Sequence, residues 1–159
     1  MVVVVLVWIN GPFGGGKTAT AFELQRRLPG SVVCDPEHLG FGLHRMLPSS
    51  LRTDFQGLQA WRSGVREVLD LAARKHQGPV IVPMTLIDRR YFASRLDDCL
   101  ARLRGPEFAQ HIHTDQRTVP QVADTIARLA VLPIRPDTDG PLRSSLRRYA
   151  TTLRHVRLD

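Results

Sequence analysis

Residues Gly11-Pro12-Phe13-Gly14-Gly15-Gly16-Lys17-Thr18 have the types and spacing that hold the phosphates of a nucleotide, G-x-x-x-x-G-K-[ST]. The glycines let the backbone curl so that successive N–H groups point inward at phosphate oxygens. The positive end of a following helix adds to that field. Lys17 is expected to reach the β- and γ-phosphates, and the Thr18 hydroxyl to ligate Mg²⁺. The whole stretch Gly11, Pro12, Phe13, Gly14, Gly15, Gly16, Lys17 and Thr18 is therefore a candidate cofactor-binding loop, with ATP and Mg²⁺ as the cofactors.

Asp35 is the candidate partner of that loop. It ends a short apolar run, Ser31 to Cys34, and in a kinase of small molecules a carboxylate there accepts the proton of the substrate hydroxyl or helps hold Mg²⁺. The competing reading is that Asp35, just before Pro36, only caps the next helix. Lys17 and Asp35 are the catalytic candidates, and Thr18 and Asp35 the metal candidates. A Walker B aspartate is missing: Val80-Ile81-Val82-Pro83-Met84-Thr85 ends with no acid. That argues against a motor or switch ATPase and suits a small kinase.

Phe41, Arg45, Arg52, Phe55, Trp61 and Arg62 follow Asp35 in the segment where such kinases build the acceptor pocket. Aromatic faces with arginines suit a ring-bearing, partly anionic substrate. Phe41, Arg45, Phe55, Trp61 and Arg62 are the substrate candidates; each alone also reads as core or solvated surface. Asp115 and Arg117 are expected to border the adenine. Cys34 reads as a small core residue, and His111 and His113 as packing and surface residues.

These residues need elements to hold them. Val2 to Ile9 is a β-branched run, the pattern of a parallel strand buried on both faces. Thr20 to Leu28 has helical spacing and stops at Pro29-Gly30. Ser31 to Cys34 is a second strand. Glu37 to Leu47 is a helix closed by Pro48, and Phe55 to Lys75 a longer one with apolar residues three and four apart. Pro79 to Thr85 is a third strand, Arg89 to Leu103 a helix, and His111 to His113 a brief strand. Thr118 and Gln121 form a capping box opening a helix to Leu132. Leu142 to Leu158 is a final helix with Arg143, Arg147, Arg148, Arg154 and Arg157 largely off its apolar stripe.

Alternating strands and helices predict an α/β fold, a three-layer parallel sheet of the P-loop NTPase or nucleoside-kinase type, with a C-terminal basic amphipathic helix. With 159 residues the chain is expected to be a single nucleotide-binding domain over 1–159. A further strand and helix are expected where Arg104 meets Gly105, and their lack points to a missing lid segment at that junction. Met1 to Ile9 carries no basic stretch and runs into the glycine loop, so it reads as a core strand and not a signal peptide. No apolar run approaches the roughly 18 residues of a membrane span.

Cysteine usage, Cys34 and Cys99, gives neither a disulfide framework nor metal spacing, which suits the cytoplasm. The net charge of +7 favours anionic partners. Nucleic acid is disfavoured, because stacking aromatics are sparse and no reader motif is present. The basic helix 142–158 either docks on the sheet with a solvated face or lies on an anionic membrane at its inner face.

Trp8-Ile9-Asn10-Gly11-Pro12-Phe13-Gly14, Lys17-Thr18, Phe22-Glu23-Leu24, Asp35-Pro36-Glu37, Asp54-Phe55-Gln56, Trp61-Arg62, Val82-Pro83-Met84-Thr85, Thr114-Asp115 and Leu146-Arg147-Arg148 together carry a resemblance. The chain resembles the tunicamycin-resistance proteins of the TmrB type, P-loop proteins related to small-molecule kinases such as chloramphenicol phosphotransferase. The resemblance runs over almost the whole length. It implies ATP binding and protection against tunicamycin, a nucleoside antibiotic, either by phosphorylating a hydroxyl of the drug or by sequestering it without catalysis. It also implies an arginine-bearing lid near Arg104 and membrane association through 142–158.

Overall fold

The β-branched and aromatic residues Leu6-Val7-Trp8-Ile9 form strand β1 (Leu6–Ile9), the first element of a computed structural model that describes residues 5–10, 15–84 and 112–140. There follow α1 (Lys17–Arg27), β2 (Val32–Val33), α2 (Glu37–Met46), α3 (Gln59–Lys75), β3 (Val80–Pro83) and α4 (Val119–Leu129). Among the described residues the sheet has three strands in the order β1-β3-β2, all parallel. The register sets Val7 and Val33 on either side of Ile81. Beyond the assigned ends, the Val32 amide donates to the Pro79 carbonyl at 3.0 Å and that of Cys34 to Ile81 at 2.9 Å.

Alternation along the strands divides the core in two, since successive side chains point to opposite faces. Val7 and Ile81 pack with Ala21, Leu24 and Leu28 of the α1 segment and Ala123 and Ala127 of α4. Val80 and Val82 pack on the other side with Trp61, Val65 and Leu69 of α3. The predicted three layers follow, with β3 buried along its whole length as a central strand should be.

Element ends differ from the sequence reading in ways that local chemistry explains. Phe55 does not open α3; Phe55–Gly57 is a single 3₁₀ turn, because the Asp54 carboxylate accepts the Gln56 amide at 3.0 Å and Leu58 is extended. Helix α4 stops at Leu129 rather than Leu132. Val131 there takes φ 53°, and the amides of Val131 and Leu132 turn back to the carbonyls of Arg128 (3.2 Å) and Ala127 (2.8 Å). Ile112 and His113 lie outside any strand. One isoleucine between histidines cannot fill both faces of a covered sheet. The predicted helices 89–103 and 142–158, the junction at 104–105, Cys99 and His111 fall outside the described residues.

Residues 132–140 run as an irregular strap back over α1. Leu132 and Ile134 pack on the α1–α4 core. Arg27, only 3% exposed, donates from Nε to the Arg135 carbonyl at 2.7 Å and pairs with Asp124 of α4. Its neighbour Arg26 pairs with Glu23 at 2.6 Å and with Asp137 of the strap at 2.7 Å.

Candidate nucleotide site

Gly16 closes the phosphate loop in the left-handed conformation, φ 75° and ψ 11°, which a side chain would strain. As the residue that caps α1 it brings no side chain to the helix start, and the first turn contains no acid. Its carbonyl accepts the Thr20 amide at 2.9 Å, so the helix begins directly after the glycine. Lys17 and Thr18 are thereby the first residues of α1, where backbone amides and the helix dipole favour an anion. That arrangement fits a nucleotide phosphate. Gly11 to Gly14 lie outside the described residues; Gly15 and Gly16 are exposed.

Lys17 is half-buried. Burial lowers the pKa of its ammonium, and the carboxylates of Glu37 and Asp35 oppose that fall. Lys17 comes after β1 and the acids after β2, so the cluster bridges the crevice at the carboxyl ends of the strands, where open α/β sheets bind ligands. Asp35 also caps: its Oδ1 accepts the Glu37 amide at 3.0 Å. The capping reading of Asp35 is therefore observed. Glu37 carries charge at this site and was not among the sequence candidates; an acid at the start of a helix reads as a dipole complement, and only its nearness to Lys17 sets it apart.

Strand β3 ends at the crevice without a carboxylate. Met84 is buried, and its amide donates to the Ile9 carbonyl at 3.1 Å, so pairing runs one residue past Pro83. Among the described residues no group of three or more His, Cys, Asp or Glu side chains could hold a metal ion. A divalent ion here would draw most of its ligands from phosphate and water, with the Thr18 hydroxyl at hand. Cys34 sits against the α3-side core, where burial pushes its thiol pKa up and keeps it a poor nucleophile.

Two of the aromatic candidates, Phe55 and Trp61, are core residues. Trp61 is 2% exposed, and its indole Nε1 donates to the Pro36 carbonyl at 2.9 Å. Phe55 is also buried, with Trp61 at 5.6 Å and Phe41 edge-on at 6.0 Å between ring centroids. A Cβ on Gly40 would sit 2.6 Å from the Phe55 ring, so only glycine lets α2 approach this closely. Phe41 is half-buried and Arg45 exposed. Arg62 Nη1 donates to the carbonyls of Gln56 and Gly57, each at 2.8 Å, which ties the 3₁₀ turn to α3. Arg52 Nε donates to the Leu47 carbonyl at 3.1 Å. Asp115 and Arg117 are exposed just before α4, with Arg117 Nη1 donating to Thr125 Oγ1 at 2.9 Å.

A parallel sheet covered on both faces, with the glycine-lysine turn joining β1 to α1, defines an α/β protein of the P-loop class. Its structure matches that of the tunicamycin resistance protein of Deinococcus radiodurans with a TM-score of 0.68 and 33% identity, over 84% of this chain and 99% of that one. The chain belongs to the tunicamycin-resistance protein family. The APS kinase CysC of Mycobacterium tuberculosis, solved with AMPPNP and APS, aligns at 20% identity and a TM-score of 0.47, over 79% of this chain and 96% of that one. No family model and no curated protein matches the chain.

Proposed function

We propose that the protein binds ATP with Mg²⁺ and transfers the γ-phosphoryl group to a hydroxyl of tunicamycin or a related nucleoside antibiotic. The observation that carries this reading is Lys17 at the head of α1, after β1, with the Asp35 carboxylate after β2 acting on its charge, in a member of this family. In it, Asp35 takes the proton of the attacking hydroxyl, that oxygen bonds to the γ-phosphorus, and the bond to ADP breaks. Lys17 and the amides of residues 11–18 clamp the phosphates, Thr18 holds the metal, and Asp115 and Arg117 border the adenine. Phe41 and Arg45 offer the acceptor surface, with Phe55, Trp61 and Arg62 fixing it from behind. Residues 1–159 act as one nucleotide-binding domain in the cytoplasm, with 142–158 as a basic contact for an anionic membrane surface. Among the described residues no helix is long and apolar enough to cross a membrane.

A second reading, sequestration of the drug with ATP only organising the site, is favoured by one observation: β3 ends on buried Met84 in place of an acid. The two readings separate when protein, γ-labelled ATP, Mg²⁺ and tunicamycin are incubated and products resolved by mass. A gain of one phosphate on the drug is expected. Asp35→Asn keeps an oxygen to cap the Glu37 amide but not a base, so its turnover should fall on the order of 10²–10⁴-fold with nucleotide affinity retained. Unmodified drug that co-elutes with the protein only when ATP is present would establish sequestration instead.

A further inference from the structure

Helices α2 and α3 contain the glycines Gly40, Gly42 and Gly64, and packing explains two of them. A Cβ on Gly40 would meet the Phe55 ring, and one on Gly64 would lie 2.7 Å from Leu39 Cδ2. A Cβ on Gly42 would meet nothing within 4 Å among the described residues, although glycine weakens a helix interior relative to alanine. Helical spacing sets Gly42 in a row with His38 and Met46, four residues to either side and both exposed. The row begins on the turn that carries Asp35, whose carbonyl accepts the His38 amide at 3.2 Å. It ends about 12 Å further along the helix at Met46, which is 81% exposed. His44 Nε2 donates to the Thr53 carbonyl at 2.8 Å, and the Leu51 amide to that of Pro48 at 2.9 Å. With the bond from Arg52 to Leu47, these hold residues 47–53 at the end of α2 and leave Leu51, 58% exposed, at the same end as Met46. Between Glu37 and Asp54 the chain has no acid, and the stems of Arg45 and Arg52 can lie along an apolar guest.

We propose that the row from Gly42 to Met46, with Leu51 at its end, is a subsite for an acyl chain on the acceptor. This rests on the proposed acceptor role of the segment after Asp35: the reacting hydroxyl lies at Asp35, and tunicamycin carries a long acyl chain in amide linkage. A chain leaving the crevice there needs a path with no side chain across it and apolar cover at the far end. Gly42 supplies the first, and Met46 with Leu51 the second. The unbranched thioether of Met46 adapts its shape to chains of different length. Seating a chain on this tip removes apolar surface from water on both partners, which favours binding. A second copy of the protein or a bilayer would cover the same tip, but neither gives Gly42 a reason to lack a side chain.

The test is equilibrium binding of tunicamycin, and of tunicamycin stripped of its acyl chain, in the presence of Mg²⁺ and AMPPNP. Gly42→Leu fills the path, so it should weaken binding of the intact drug on the order of tenfold and leave the stripped drug unchanged. The same substitution should raise the unfolding midpoint, since leucine forms helix better than glycine and its Cβ meets open space. Lost affinity in a more stable protein then has no explanation in lost folding. Met46→Ser and Leu51→Ser should each weaken the intact drug on the order of threefold, and Val68→Ser, at an exposed valine of α3, should weaken neither form. Equal affinity of wild type for intact and stripped drug would overturn the proposal. So would equal losses of both forms in Gly42→Leu, which would place Gly42 against the head of the acceptor. Serine variants that keep drug affinity but lose self-association or binding to anionic vesicles would assign the tip to a second copy or a bilayer instead. If wild type binds neither form of the drug, the acceptor reading itself falls and this one with it.

Discussion

Lys17, Thr18 and Asp35 could be singled out as candidates from the chain because their places depend on spacing along it: a loop fixes the first two, and the end of a strand fixes the third. Glu37 and Trp61 could not be assigned correctly, because their roles depend on what lies across space. Trp61, a substrate candidate beside Arg62 that also reads as core, fills the α3-side core with its ring, and its one polar atom meets the Pro36 carbonyl. That bond links α3 to the turn carrying Asp35 and Glu37, so the residue acts on the site through the backbone. Trp61→Phe removes the donor, leaves a buried carbonyl with one partner fewer and opens a small void. A loss of about 2 kcal/mol in unfolding free energy is expected from those combined effects, measurable by urea denaturation. An unchanged midpoint would mean that the indole bond contributes nothing to holding the turn.

At the scale of elements, periodicity gave the existence and type of α1, α2 and α3, because an apolar stripe three and four residues apart packs as a helix, and the Thr118–Gln121 capping box gave α4. Element ends were less legible. The 3₁₀ turn at Phe55–Gly57 depends on one Asp54 side-chain bond, and the end of α4 depends on Val131 accepting a left-handed conformation. A β-branched residue is costly there, and Val131 is 89% exposed, so it gains little from packing in return. Glycine is the residue this position favours in the hydrogen-bonding pattern that Leu132 and Val131 complete. Val131→Gly relieves about 1–2 kcal/mol of left-handed strain, partly offset by the greater freedom of glycine in the unfolded chain. A net gain of up to about 1 kcal/mol is expected in thermal or urea unfolding, with ATP affinity unchanged. A loss of stability would show that the valine side chain contributes more than its exposure implies.

The two cores on either side of the sheet were implicit in the strand sequences, since alternating apolar residues must find cover on both faces. The strap over α1 was not, because it joins Arg26 and Arg27 to partners more than a hundred residues away, at Asp137 and Arg135. Arginine-rich composition gave a net charge of +7 but no sign that some of those charges are paired across the fold. The strap also makes stability depend on acid. Burial pushes the Asp137 carboxyl up, but the Asp139 amide and the Arg26 guanidinium hydrogen-bond to it and leave its pKa below the ordinary 3.8. With the folded value lowered, the unfolded chain takes up its proton first as pH falls. The contribution of Asp137 is therefore complete above about pH 4 and is lost as pH drops through the folded value. Because the pair is partly solvated, Asp137→Asn should cost only about 0.5–1 kcal/mol at pH 7. The gap between variant and wild type should then be narrower at about pH 2.5. Urea midpoints of both proteins at the two pH values measure this directly. A gap that persists unchanged in acid would assign the stabilisation to the neutral hydrogen bonds of Asp137, and the strap would then hold α1 without its ion pair.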